Sequence, residues 1–158
     1  MKTIIYLLTE KMPKELAVFL ISMLPFIEVR GSIPIGVGLG IHPIEVLIIT
    51  FCGSIIPIPF LIKFIRPIFT WLKRKNLFLN YIDRLEKRAD YKWGKIKRYE
   101  LFALFIFTAI PLPGTGVWSA SLIASLMDLR LKTAIPTIIL GNSLATVFIA
   151  ILSHLIIN

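Results

Sequence analysis

An all-α integral membrane fold is predicted, built from two inverted repeats, each a re-entrant helical hairpin followed by a broken transmembrane helix. Three observations predict it: a strongly apolar composition, two opposite charges inside an apolar stretch, and the recurrence of one pattern in both halves of the chain. The 158 residues are 56% hydrophobic and only 17% charged, with a mean hydropathy of +0.82. Soluble domains run at about 45–50% apolar even with glycine counted. The length holds one small membrane domain and no soluble partner domain.

The first residues, MKTIIYLLTEKMP, carry too short an apolar core for a signal peptide and predict a short interfacial helix. The first repeat, 12–72, opens with the hairpin 14–41. One straight helix over those 28 residues would be about 42 Å long, against a hydrocarbon core of about 30 Å. Its middle is also built to break, since Pro25 and Pro34 each remove a helical hydrogen bond and Gly31 is flexible. Glu28 and Arg30 lie in the same place, and charges at mid-bilayer are expensive on a lipid-facing helix. Two arms, Lys14 to Phe26 and Gly31 to Ile41, would each dip in and return. The span 43–71 follows, interrupted by Gly53, Pro57 and Pro59.

Between Lys63 and Glu100 lie twelve Lys/Arg against four acids. Within this stretch 73–98 reads as an amphipathic helix, with Phe78, Ile82, Leu85, Ala89 and Ile96 on one face and basic residues on the other. Such a helix suits an anionic membrane surface, and its charge places it in the cytoplasm of a multi-pass protein of the plasma membrane. Nucleic acid is excluded as a partner, because no base-reading or stacking residues accompany the charge.

The second repeat, 99–158, restates the first. The hairpin 101–127 has an apolar arm, a tip with Pro111, Pro113, Gly114 and Gly116, and a second arm rich in Ser and Ala. The span 131–157 is interrupted by Pro136 and by Gly141 with Asn142. A hairpin returns to the side it entered and a span changes sides, so the second copy starts on the opposite face and the repeats are inverted. Inverted repeats with broken helices are the architecture of secondary transporters, with the site where the breaks meet. Small residues recur four apart in the return arms, Ser32, Gly36 and Gly40 in the first and Gly116, Ala120 and Ala124 in the second, which lets helices pack closely.

The stretches PFIEVRGSIPIGVGLG and IPLPGTGVWSASLIASLM resemble the small multi-drug export protein family of bacteria and archaea, over nearly the whole chain. That family looks related to the DedA/VTT group, and the resemblance implies two re-entrant hairpins and a transporter-like activity on lipid phosphates or ions. The chain departs from that group in holding both charges on the first tip, while the second tip, Ala109 to Val117, has none.

The candidate site is therefore Glu28, Arg30, Gly31 and Pro34 from the first tip and Pro111, Pro113, Gly114 and Gly116 from the second, with Asn142. In the functional reading Glu28 takes a proton or cation and Arg30 an anionic head group, since its planar fork suits phosphate. In the structural reading the pair neutralises itself, caps the frayed helix ends and fixes the turn. Intramembrane charges usually mark a pathway, which favours function. Asn142 can bond a ligand or act as glue between helices. Trp71, Trp93 and Trp118 mark interfaces, and Trp118 is also placed to gate a cavity.

An enzyme is not expected: no nucleophile triad, phosphate loop or paired Cys is present. His42 and His154 have no second ligand at metal spacing, so neither a metal nor a cofactor is expected. Three functions follow: an ion-coupled transporter of the small multi-drug export type with a midplane site, a scramblase or flippase of anionic lipid or polyprenyl phosphate, and an assembly factor. The partners are membrane lipids and a small-molecule, lipid-phosphate or ion substrate. Two spans enclose little, so a homodimer is compatible with the sequence.

Overall fold

The computed structural model describes residues 12–74, 99–112 and 114–157. The expected interfacial helix at the N-terminus, nearly all of the basic helix 73–98, and Pro113 lie outside the described residues. Within them the chain is helical, with no strand: α1 Lys14–Ser22, α2 Glu28–Gly38, α3 Pro43–Ile55, α4 Pro57–Arg74, α5 Glu100–Ala109, α6 Val117–Leu126 and α7 Leu131–Ile157.

Helices α1, α2, α5 and α6 have only 9 to 11 residues, about 14–17 Å each. Two segments are long and apolar enough to cross a membrane, Pro43–Ile65 and Leu131–Ser153, with mean hydropathies of 2.1 and 2.0. Their outward faces are apolar: Ile44, Ile48, Phe60 and Phe64 on α3 and α4, and Leu140, Leu144, Val147 and Ile151 on α7, are all exposed. A belt of that size suits hydrocarbon and not water.

Helix α1 begins after Pro13 and closes with tight turns, Met23 N–H to Leu20 O and Leu24 N–H to Ile21 O. After the bend at 23–27 the chain returns as α2, which ends in a Schellman motif. Gly40 adopts φ +79°, its N–H bonds Val37 O, and Ile41 N–H reaches Gly36 O. Gly36 lets three helices meet, because a Cβ there would lie 2.8 Å from Val46 and 3.4 Å from Val18. Lys14 Nζ, at the foot of α1, donates to Leu39 O at the foot of α2 and closes the hairpin base.

The second half repeats these details. Asp128 N–H bonds Ser125 O and Leu129 N–H bonds Ala124 O, with Asp128 at φ +54°, so α6 ends in the same motif as α2. Asn142 Nδ2 donates to Ser54 Oγ at 2.8 Å across 88 residues, and the cap residues Gly40 and Asp128 keep the same spacing. Gly53 and Gly141 keep it too, and each presses its own span onto the first arm of its own hairpin. A Cβ on Gly53 would overlap Ser22 Oγ and lie 2.7 Å from Phe19 O, while one on Gly141 would lie 2.7 Å from Thr108 Cβ and 2.8 Å from Phe105 O. Gly53→Val and Gly141→Val are each expected to destabilise the fold by at least about 2 kcal/mol, because backbone cannot yield as a side chain can. Thermal unfolding in detergent measures it.

Each hairpin packs on its own span, and each return arm also packs on the span of the other half, α2 on α7 and α6 on α4. Two apolar cores result. One joins Val18, Val29, Ile33, Val46 and Ile149, and the other Ile58, Ile62, Leu104, Val117, Ala134 and Ile138.

Three expectations change. Gly31 and Pro34 are not part of the break: the return arm starts at Glu28, not Gly31, and α2 runs through Pro34, with the ring on an exposed face where losing one hydrogen bond is tolerated. The first span breaks at the single residue Ile56, ahead of Pro57. The second span is unbroken, since α7 is one helix of 27 residues. Pro136 sits near its start, where the carbonyl it orphans belongs to exposed Lys132, and Gly141 with Asn142 serves close packing instead of a break.

Candidate functional site

Where the two hairpins meet, the charged tip of one completes the backbone of the other. Glu28, the first residue of α2, is 4% exposed and holds φ +46°, a left-handed conformation that costs a non-glycine residue about 1–3 kcal/mol. Its carboxylate accepts from Val117 N–H at 3.3 Å and Trp118 N–H at 3.1 Å, the opening amides of α6. Helix N-termini leave such amides without partners and attract negative charge, so Glu28 caps α6 from the opposite hairpin.

Arg30 does the converse for carbonyls. Its Nη1 donates to Leu112 O at 3.0 Å and to Thr115 O, and its Nη2 to Ile110 O at 3.2 Å. Thr115 Oγ1 bonds the same two carbonyls, Ile110 O at 2.7 Å and Leu112 O at 2.8 Å, and so shapes the loop that Arg30 grips. Trp118 closes the bridge in the other direction, donating Nε1 to Met23 O of the first bend at 3.1 Å. Gly116 makes this geometry possible. It adopts φ +121°, and a Cβ on it would overlap Glu28 Oε2 and lie 2.9 Å from Arg30 Nη1.

Two cavities flank the bridge. The first, about 590 Å³, is lined by Glu28, Arg30, Thr115 and Trp118 with Leu61, Ile65 and Leu122. The second, about 600 Å³, is lined by Arg30, Pro34, Phe148, Ile149, Leu152 and Ser153, along with Pro111 and Leu112. At the spacing of Ser54 and Asn142, Leu61 pairs with Ile149, Ile65 with Ser153, Trp118 with Arg30 and Leu122 with Pro34. The cavities share these matched positions, and each is lined by residues from both halves, with Arg30 in both.

Of the residues singled out in the sequence, Glu28, Arg30, Gly114 and Gly116 come together at the bridge. Pro34 and Pro111 line the second cavity. Gly31 sits one turn above Ile27, whose Cγ2 would be 2.6 Å from a Cβ there. Asn142 is fully committed between the spans, bonded to Ser54, and lines neither cavity. Thr115 and Ser153 are additions that residue types alone did not mark. Among the described residues no group of His, Cys, Asp and Glu could hold a metal ion.

Residues 28–148 match the family model described as "Putative small multi-drug export protein". No curated protein and no solved structure matches the chain. The matched region begins at the capping glutamate of the first tip and runs through the second hairpin to the α7 residue Phe148, which lines the second cavity. With most of its length covered and two apolar helices of membrane-spanning length, the chain is a membrane protein that belongs to the small multi-drug export family.

Proposed function

We propose that this protein is a membrane transporter in which two inverted repeats hold a substrate pathway at their meeting hairpin tips. The observation that carries the reading is the bridge itself: two charged side chains at the crossing of two short hairpins, with a cavity on either side. Helices of 9 to 11 residues are too short to cross about 30 Å of hydrocarbon, which supports re-entrant hairpins. The N-termini of α2 and α6 meet at the bridge, which supports hairpin bases at 39–42 and 127–130 on opposite sides. That is the arrangement of inverted repeats.

Transport through this site requires the bridge to open, which exchanges the Glu28, Arg30 and Trp118 cross-tip bonds for bonds to water, ion or substrate. Glu28 is the group placed to couple that exchange to a proton or cation, since a protonated carboxyl caps a helix less well than a carboxylate. The plasma membrane as location, with the basic segment 73–98 in the cytoplasm, completes the proposal.

Flux into liposomes containing the purified protein tests it, with a cationic dye and a fluorescent phospholipid in parallel. Saturable, gradient-driven dye flux that is lost in Glu28→Gln supports the transporter. Head-group exchange without a gradient, dependent on Arg30, would support a scramblase instead, and flux of neither kind an assembly factor. Arg30→Lys is expected to lose most activity, at least about tenfold, because a point charge cannot serve three carbonyls fixed by a planar fork. Wild-type flux in folded Arg30→Lys contradicts that role.

A further inference from the structure

The two cavities meet at one side chain. Among the described residues Arg30 is the only one that lines both. The loop that grips it is divided in the same place, with Gly114 and Thr115 bordering the first cavity and Pro111 and Leu112 the second. Carbonyls of Ile110, Leu112 and Thr115 in that loop hold the guanidinium. A long side chain fixed by α2 at its root and by the opposite hairpin at its head cannot swing aside while those charged hydrogen bonds last.

The spans carry the cavities to opposite sides of this point. Ser54 and Asn142 touch where the spans cross. Val46 of the first span shares a core with Ile149 of the second, and Ile58 and Ile62 of the first share the other core with Ala134 and Ile138 of the second. The spans therefore run antiparallel. The first cavity is bordered by Leu61 and Ile65, beyond Ser54 in the chain, and the second by Phe148 and Leu152, beyond Asn142. Each pair lies about 9–17 Å along its own helix past the crossing. In antiparallel helices those displacements point in opposite directions.

We propose that the Arg30 side chain is the partition between two half-pathways, one opening toward each face of the membrane, and that it also cancels a lining that would otherwise conduct cations. This deepens the transport reading and takes from it the assignment of the two faces. With Arg30 in place, its charge offsets that of Glu28 beside it. Without it the two cavities join. The loop carbonyls then lose their donor, and the Glu28 carboxylate loses its neighbouring cation. Polar groups left so in a roomy space recruit water, and a ring of carbonyls with a carboxylate favours cations over anions.

Ion leak from liposomes containing the purified full chain tests it, with thallium and iodide influx each read by quenching of a trapped fluorophore. Folded Arg30→Ala is expected to admit thallium at least about tenfold faster than wild type, and faster than it admits iodide. Ser54→Ala, which alters neither cavity lining, should stay as tight as wild type. Glu28→Ala combined with Arg30→Ala strands neither charge and covers a failure of the single variant to fold. It should leak too, with the preference for thallium lost. A tight membrane with folded Arg30→Ala, or with the double variant where the single one does not fold, overturns the proposal. So does an Arg30→Ala leak that admits iodide as readily as thallium, which is general loosening. A wild type that moves neither dye nor lipid would end the transport reading and leave this leak to be seen, so the two fail separately.

Discussion

Gly116→Ala is expected to cost at least about 3 kcal/mol of stability, the sum of left-handed strain on a residue with a Cβ and the loss of a buried charge contact. Gly116 holds φ +121°, and the added Cβ would overlap Glu28 Oε2 and crowd Arg30 Nη1 at 2.9 Å. Neither side chain has room to withdraw without releasing its partners on the other tip. Gly38→Ala provides the comparison. A Cβ at Gly38 meets nothing within 4 Å, so this variant should be neutral or stabilised by up to about 1 kcal/mol through helix propensity. Thermal unfolding of both in dodecyl maltoside reads the difference. Equal midpoints would mean that the tip is not as closely built as described.

Glu28→Ala is expected to be at least as damaging, by about 3–5 kcal/mol, because it strands a buried charge. It leaves two α6 amides without their acceptor and Arg30 without its neighbouring carboxylate. Glu28→Gln keeps one acceptor oxygen and should fall between Ala and wild type. Glu28→Ala combined with Arg30→Ala should cost less than the sum of the two single changes, since each single change leaves the other charge uncompensated. Chemical denaturation of the four proteins measures that coupling, and strict additivity would deny that the two residues act as one bridge.

The sequence made the solvent, the spans and the place of the tips legible, because lipid demands long apolar runs and punishes charges unless backbone and protein enclose them. Glu28 and Arg30 stood out for that reason. Their partners did not, since the groups they serve are backbone atoms 80 or more residues away in the second hairpin. A backbone amide leaves no mark in a sequence. Pro34 and Pro136 misled as breaks because a proline costs little where the carbonyl it orphans is near a helix start or on an open face. The recurrence of an apolar hairpin pattern and a span was visible, but the 88-residue spacing of the contacts was hidden by unlike residues: Glu28 faces Gly116, and Ser54 bonds Asn142. Ser153 was beyond reach altogether. Only its missing partner distinguishes it from the other serines in helices.

That two short hairpins enter from opposite faces and meet tip to tip can be tested at the two exposed hairpin bases. His42 follows the first hairpin and Lys132 the second, and both are exposed. In a Cys52→Ala background, His42→Cys and Lys132→Cys are labelled with an impermeant reagent on intact cells and on inverted vesicles. Two crossings place these positions on opposite sides of the membrane, so each preparation should label one of them and not the other. If each hairpin were instead a full crossing, both would lie on the same side. Labelling of both from the same face, with folding intact, would contradict the account whichever way the protein is oriented.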